Sequence, residues 1–465
     1  MSDHETLKPV RGPLHGEDAF ALNPEFVQDV VAALEEGRDD YVRDQVLTLH
    51  YADAADLIDQ LPREPRERLL DLMRPGFNPE ILPELDDRIR DEVLERYGYA
   101  DFASLVAELD SDDAVYLVDQ LDEAERAHVL ARLPAEERTV IEQGLAFPEY
   151  TAGRLMQREL VAVPAYWTVG ETIDYLRANA SLPEDFYVLF VVDPRHRPQG
   201  IVRLSALLRS PRATRLQGLV TEEDMVVMNV TMDQEEVAYL FRQRDLLSSP
   251  VVDASGRLVG RITIDDVVDV IDEEAEDDML KMAKVGEADL YAPAFSTAGR
   301  RIRWLAITLL NTILASFVIS RFEATLEQIV ALAILMPIVA AMGGNAGMQV
   351  VTVMVRALAT KELGPGNMSR VIGKELAVGA INGVVFAAVL GTVAFLWFGR
   401  LDLGIVLSAA MIFNMVWAGM AGTLIPLTLA KMKIDPALAA GPFLTTTTDV
   451  LGFFAFLGLA TLFLI

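Results

Sequence analysis

Apolar and polar positions divide the chain into three regimes. Between residues 24 and 149, apolar residues recur every three to four positions, the period of short amphipathic helices. One segment there, Asp53-Ala-Ala-Asp-Leu-Ile-Asp-Gln-Leu61, returns as Asp113-Ala-Val-Tyr-Leu-Val-Asp-Gln-Leu121. Helical repeats of this kind stack into a superhelix with a shared core. Residues 150–271 switch to short apolar runs bounded by turn residues, again in two copies. Val191-Val-Asp-Pro-Arg-His-Arg-Pro-Gln-Gly200 answers Val251-Val-Asp-Ala-Ser-Gly-Arg-Leu-Val-Gly260, and the helical stretch from Thr168 answers the one from Asp233. Each copy predicts strand, helix, strand, turn, strand, helix. From residue 300 onward come five apolar segments, at about 304–321, 329–355, 375–399, 403–430 and 437–465, each long enough to be a candidate for spanning a bilayer, which takes about 17–25 residues.

The expected architecture is therefore multidomain: an α-helical superhelical N-terminal domain, an α/β tandem repeat and an all-α five-helix transmembrane domain. The predicted boundaries are a disordered tail at 1–23, the helical domain at 24–149, the tandem pair at 150–271, an acidic connecting helix at 272–299 and the membrane domain at 300–465. The opening Met1-Ser-Asp-His-Glu5 has neither the basic flank nor the apolar core of a signal peptide.

Charge separates the same halves. Before Arg300 the chain carries 29 basic and 62 acidic residues, a net charge near −33, against 11 and 7 from Arg300 on. So acidic a surface argues against nucleic acid or anionic lipid as its partner and suits a domain surrounded by cations. The absence of cysteine removes disulfides and thiolate metal sites. Arginine and lysine in the membrane half lie mostly before the first span (Arg300, Arg301, Arg303), between the second and third (Arg356, Lys361, Arg370, Lys374) and between the fourth and fifth (Lys431, Lys433), while the other two connections carry only Arg321 and Arg400. The positive-inside rule then gives an inner (plasma) membrane protein with a cytoplasmic N-terminus and its C-terminus outside.

The residue that changes the functional picture is Asp449, the only ionisable side chain between Pro436 and Ile465, placed directly after Thr445 to Thr448. A charge at mid-span costs roughly 2.5–3.5 kcal/mol on the mildest scale, so such residues face a polar cavity or a partner. The second span reads Met336-Pro-Ile-Val-Ala-Ala-Met-Gly-Gly-Asn-Ala-Gly-Met-Gln349, and a proline with three glycines beside two amides implies backbone carbonyls that line a cavity or meet a neighbour. Hydrated Mg²⁺ needs few charges and many hydrogen-bonding oxygens. With one carboxylate per chain in the spans, a twofold homodimer that pairs two copies of Asp449 is the simplest symmetric solution. Between the tandem pair and the first span, Asp265, Asp269, Asp272 and Glu276 fall at i, i+4, i+7 and i+11, an acidic stripe that would fray a helix unless cations bind.

The tandem repeat resembles a CBS pair, a regulatory module that often binds adenine nucleotides, so ATP is a candidate ligand there. The whole order of domains resembles the MgtE family of magnesium channels. The likeness is most specific in Gly343-Gly-Asn-Ala-Gly-Met-Gln349, Arg356-Ala-Leu-Ala-Thr-Lys361, Asp435-Pro-Ala-Leu438, Gly441-Pro442 and Thr448-Asp-Val450. This resemblance implies a homodimeric pore in which Asp449 holds hydrated Mg²⁺, with Gly344, Asn345, Thr352 and Thr445 helping to line it. It also implies that Mg²⁺ binds acidic cytoplasmic residues and closes the pore. Matched position by position, these are Glu80, Asp112, Asp233, Glu235, Asp245, Asp266, Asp269, Glu274 and Asp277. The chain departs from the family pattern twice: Met348 stands where the motif has asparagine, and Tyr116 where an acidic residue is expected one turn after Asp112. Sulfur is a poor partner for a hard cation. Transport of Mn²⁺ or Co²⁺, or a proton-coupled divalent-cation transporter with Asp449 as proton carrier, are the alternative readings. Nothing in the sequence assembles a catalytic constellation, and no enzyme activity is expected.

Overall fold

The computed structural model describes residues 22–183, 185–221, 225–285, 294–364 and 366–465. Residues 1–21, most of the predicted tail, lie outside them. The described chain forms two compact units, one up to Ile271 and one from Asp272.

The first unit joins a helical part to the tandem repeat. The two related helices are Tyr51–Gln60 and Ser111–Gln120. They bury Ala54, Ala55, Leu57 and Ile58 in one copy and Ala114, Val115, Leu117 and Val118 in the other. The same positions, sixty residues apart, thus supply one continuous apolar core running from Leu22 to Ile141. Arg154 ties this helical part to the α/β repeat: it bonds Asp119 Oδ2 at 2.5 Å and the carbonyls of Leu145 and Phe147 at 3.0 and 2.7 Å.

Each copy of the α/β repeat is a three-stranded sheet. The strands are β1 (Ala162–Pro164), β2 (Val188–Val192) and β3 (Pro198–Arg203), then β4 (Met228–Asn229), β5 (Ser248–Val252) and β6 (Leu258–Thr263). Both sheets have the middle strand parallel to the first and antiparallel to the third. The register is the same to the residue: Val191 faces Gly200 and Val251 faces Gly260, with a bulge after Val191 and after Val251. The hairpin turns match as well. Asp193 accepts from the N–H groups of Arg195 and Arg197, and Asp253 from those of Ser255 and Arg257, the side-chain turn that makes aspartate a turn residue.

The acidic helix runs Ile264–Ala283, which differs from a connecting helix at 272–299; residues 286–293 of that expectation lie outside the described residues. It starts directly after β6 because the Asp266 carboxylate accepts from Thr263 N–H (3.3 Å) and Thr263 Oγ1 (2.6 Å), the reciprocal half of a capping box. It stops at Lys284, which adopts a left-handed φ of 61°.

The second unit contains, among the described residues, five helices long and apolar enough to cross a membrane. They are Thr297–Ser320 (within the helix Ala294–Ser320), Ala331–Ala359, Met368–Phe398, Leu401–Lys431 and Pro436–Leu464. The fourth is the most enclosed, and the first exposes most of its side chains. Glycines set how closely the third and fourth approach. A Cβ added to Gly404 would sit 2.7 Å from Gly391 O, one on Gly379 2.8 Å from Met415 O, and one on Gly419 2.9 Å from Glu375 O. In lipid, where apolar burial does not drive helices together, such small-residue contact supplies the packing. The structure also corrects the carboxylate count. Glu375 lies within the third helix and is buried, 3.4 Å from Lys374 Nζ, so among the described residues Asp449 is not the only carboxylate within a candidate span.

Gly404→Ala must push two backbones apart, because the atom it meets is a carbonyl rather than a flexible side chain. A loss of about 1–3 kcal/mol is expected, read as a lowered melting temperature of the purified protein. Gly373→Ala, with open space around its Cβ, should leave the melting temperature unchanged.

Candidate ion-binding sites

The fifth span places Asp449 half-buried, and no hydrogen bond or ion pair reaches its carboxylate among the described residues. The preceding threonines spend their hydroxyl protons on their own helix. Thr445 Oγ1 donates to Gly441 O (3.1 Å), Thr446 Oγ1 to Pro442 O (2.7 Å), Thr447 Oγ1 to Leu444 O (2.9 Å) and Thr448 Oγ1 to Leu444 O (3.1 Å). A hydroxyl whose proton is committed offers only lone pairs elsewhere. The segment before Asp449 is thus a set of acceptors, which suits a cation or the outward-pointing protons of its water shell.

Within the second span the glycines have different neighbours. Gly343 packs on Asn414 and Gly347 on Leu444, while a Cβ at Gly344 would meet nothing within 4 Å. Asn345, Gln349 and Thr352 are exposed in the single chain. Of the predicted pore residues, Gly344, Asn345 and Thr352 therefore share the open side of the second span. Asp449 and Thr445 are half-buried on the fifth.

Sequence reasoning missed Asn414. It is fully buried in the fourth span, donates from Nδ2 to Val339 O at 2.8 Å, and is flanked by Gly343 and Gly452, whose added Cβ atoms would lie 2.2 and 2.9 Å from that nitrogen. Its Oδ1 has no partner among the described residues. Only the glycine spacing on the neighbouring spans hinted that something bulky fills the gap.

In the first unit a seam of carboxylates separates the helical repeats from the start of the acidic helix. Asp112 is buried, with no donor on either carboxylate oxygen among the described residues. Burial, then the negative charges of Asp266 and Asp113, push its pKa well above the usual carboxylate range. Asp113 is pushed up to about 7 by burial, Asp266 and Asp110. Asp266 is raised by burial, with Asp265 adding to it and the Thr263 bonds opposing it. Glu84 is raised by burial and then by Asp269. Asp110 is raised by burial, Glu159, Glu80 and Asp265 despite the opposing charge of Arg261. These groups are like charges crowded into a partly dry contact, where each disfavours the ionised form of the next.

The comparisons with known proteins fit this arrangement. Residues 336–459 match the MgtE family model described as a divalent cation transporter, residues 49–150 the MgtE intracellular N domain, and residues 152–213 and 216–273 the CBS domain. The chain is 30% identical over 441 residues to the magnesium transporter MgtE of Bacillus subtilis, covering 95% of this chain and 98% of that protein. The chain belongs to the MgtE family. It is also 33% identical to the magnesium transporter MgtE of Thermus thermophilus, over 93% of this chain and 97% of that one. Among solved structures, the cytosolic domain of the Mg²⁺ channel MgtE in complex with ATP aligns with 52% of this chain and 99% of its own, at 32% identity and a TM-score of 0.49. Family and spans together make this a multipass membrane protein with a soluble N-terminal part. The family is one of transporters, which is not an enzyme class.

Only some of the MgtE residues expected to sense cations meet in the structure. Glu80, Asp112, Asp266 and Asp269 belong to the seam, joined by Glu84, Asp110, Asp113 and Asp265. Asp233 is elsewhere: it caps the helix Gln234–Arg244, accepting from Glu235 N–H at 3.0 Å, and Glu235 lies in that helix's first turn. Asp245 closes the same helix with a left-handed φ of 51°. In the second unit, Asp277 pairs with Lys281, which also reaches Asp435 Oδ2 at 3.1 Å, and Glu274 is half-buried. Tyr116 stacks outside the seam, with the Arg90 guanidinium 5.1 Å from its ring centre. Among the described residues, no three acidic or histidine side chains converge as a ready-made metal cage. A cation held at the seam would keep much of its water, as Mg²⁺ does.

The raised carboxylates fix the sign of a pH effect. Folded-state pKa values above the unfolded value of about 3.9 contribute stability that is present in acid and is lost as pH rises through the folded pKa, here toward 7. Without divalent cations the melting temperature of the soluble part should fall between pH 5 and 7.5. Asp112→Asn should raise it at pH 7.5 and leave it near wild type at pH 5, as thermal unfolding at the two pH values would measure.

Proposed function

We propose that the chain is a Mg²⁺-selective channel that mediates magnesium uptake and is closed by Mg²⁺ on its soluble side. The observation that carries this reading is Asp449, a carboxylate without a donor among the described residues in a spanning helix, preceded by four threonine acceptors. A structural carboxylate would be paired; one left open is available to a cation. The naming of its relatives as magnesium transporters supports Mg²⁺ as the ion. Gly344, Asn345, Thr352 and Thr445 would then contribute to the conduction path. Two chains would pair Asp449 about a twofold axis, with the soluble part in the cytoplasm and the C-terminus outside.

The gate arises at the seam. Its carboxylates repel when ionised, and Mg²⁺ bound there neutralises them and favours the compact state. The helix Ile264–Ala283, which begins at the seam and runs into the second unit, would carry that change toward the spans. Bound ion shifts such an equilibrium only through its preference for one state, so several weak sites acting together give a steep response. Asp233, Glu235, Asp245, Glu274 and Asp277 would add sites outside the seam. The CBS pair is a candidate site for ATP.

Met348 favours a second reading. Its thioether, in a motif expected to present an amide, suits hard Mg²⁺ poorly and makes the transition ions Mn²⁺ or Co²⁺ the alternative cargo. Uptake by a Mg²⁺-starved strain distinguishes the readings. Asp449→Ala should abolish rescue, and full rescue would sink the pore assignment. Met348→Asn should retain Mg²⁺ uptake; if Mn²⁺ outcompetes Mg²⁺ in the wild type and loses that advantage in Met348→Asn, the second reading replaces the first. For the gate, chelating Mg²⁺ should increase proteolytic cleavage between residues 265 and 290.

A further inference from the structure

Lys284 combines an unusual backbone with an unusual charge. It ends the acidic helix in a Schellman turn, with Val285 N–H donating to Leu280 O at 3.1 Å and Lys284 N–H to Lys281 O at 3.0 Å. That turn places Lys284 at φ +61°, a conformation that costs a residue with a Cβ roughly 1–2 kcal/mol and that glycine usually fills. Its ammonium has no hydrogen bond or ion pair among the described residues, and burial lowers its pKa from the usual lysine value. Lys281, one turn earlier, takes both nearby carboxylates, Asp277 and Asp435.

The position of this charge is specific. A Cβ built on Gly441 would lie 3.8 Å from Lys284 Cε, 3.9 Å from Lys284 Nζ and 3.8 Å from Met348 Sδ. The lysine therefore lies over the glycine face of the fifth span, beside Met348 of the second. Gly441 precedes Asp449 by two helical turns, about 12 Å along the axis, with Thr445 bonded to its carbonyl between them. Holding an ammonium half-buried with no counter-ion among the described residues is costly, and a neutral side chain would lie over Gly441 without that cost.

We propose that the Lys284 ammonium is a tethered monovalent cation occupying the approach to Asp449 between the second and fifth spans, which a divalent ion must displace to pass. The proposal rests on reading Asp449 as the site of the conducted ion. Lys284 and Met348 both border the space over Gly441, and the ammonium repels cations that come from the Gly441 end.

Because the chain has no cysteine, Lys284→Cys introduces a single thiol. Full-length protein in proteoliposomes, with Mg²⁺ entry followed by a trapped fluorescent indicator, provides the measurement. Lys284→Cys and Lys284→Gly, the latter also relieving the backbone, should raise flux on the order of fourfold. That is the effect of Coulomb repulsion between a monovalent and a divalent cation about 10 Å apart in water. A methanethiosulfonate reagent that adds an ammonium to the introduced thiol should return flux to the wild-type level, and a neutral reagent of equal size should not. Unchanged or lowered flux in both variants, or equal restoration by the neutral reagent, overturns the proposal. Asp449→Ala runs in parallel. Full flux there refutes the pore reading and this inference with it, whereas abolished flux with unresponsive Lys284 variants refutes only the latter.

Discussion

An unpaired carboxylate inside a hydrocarbon-length helix is the constraint around which the membrane unit is organised. Asp449 finds no donor among the described residues of its own chain, and the four threonines before it turn their protons back to the helix. The hydroxyls preceding it are therefore acceptors, and a positive charge is what the arrangement lacks. Contrast Asn414, deep in the same bundle, whose amide nitrogen donates to Val339 O and is boxed by two glycines, although its Oδ1 has no partner among the described residues. One polar group is locked by protein and the other is left open; the difference separates a packing device from a binding one.

The soluble unit repeats the same physics in a wetter setting. Asp112, Asp113 and Asp266 are brought together where water is scarce; burial lowers the acidity of all three, and repulsion from Asp266 adds to it at Asp112 and Asp113. Elsewhere in this unit carboxylates are paired with basic side chains: Glu92 with Arg66, Asp71 with Arg96, Asp119 with Arg154. Asp112, Asp113 and Asp266 have no such basic partner among the described residues, and a cation there would offset both burial and repulsion.

The acidic helix Ile264–Ala283 shows how one element serves two environments. Its first turn is capped through Thr263 and Asp266, so the residue that starts the helix also belongs to the seam. Its stripe of Asp265, Asp269, Asp272 and Glu276 is exposed. Its last turns change character: Lys281 gathers Asp277 and Asp435, and just beyond them Lys284 carries a charge with no partner among the described residues.

Much of this was legible in the sequence. Hydrophobic periodicity is local, so the five spans, the two helical repeats and the matched CBS sheets are dictated by residue spacing alone. The cost of a charge in a span does not depend on which helices surround it, so Asp449 stood out without a structure. Convergence was not legible, because it depends on packing between residues far apart in the chain. Tertiary contact put Glu84, Asp110 and Asp113 in the seam with Asp266, turned Asp233 into a helix cap and moved the start of the acidic helix to Ile264. It also buried Glu375 and Asn414 among glycine-lined spans and set Lys284 against Gly441. Spacing along the chain dictates which face of an element is apolar, while the pairing or isolation of a charge is decided only when distant elements close around it.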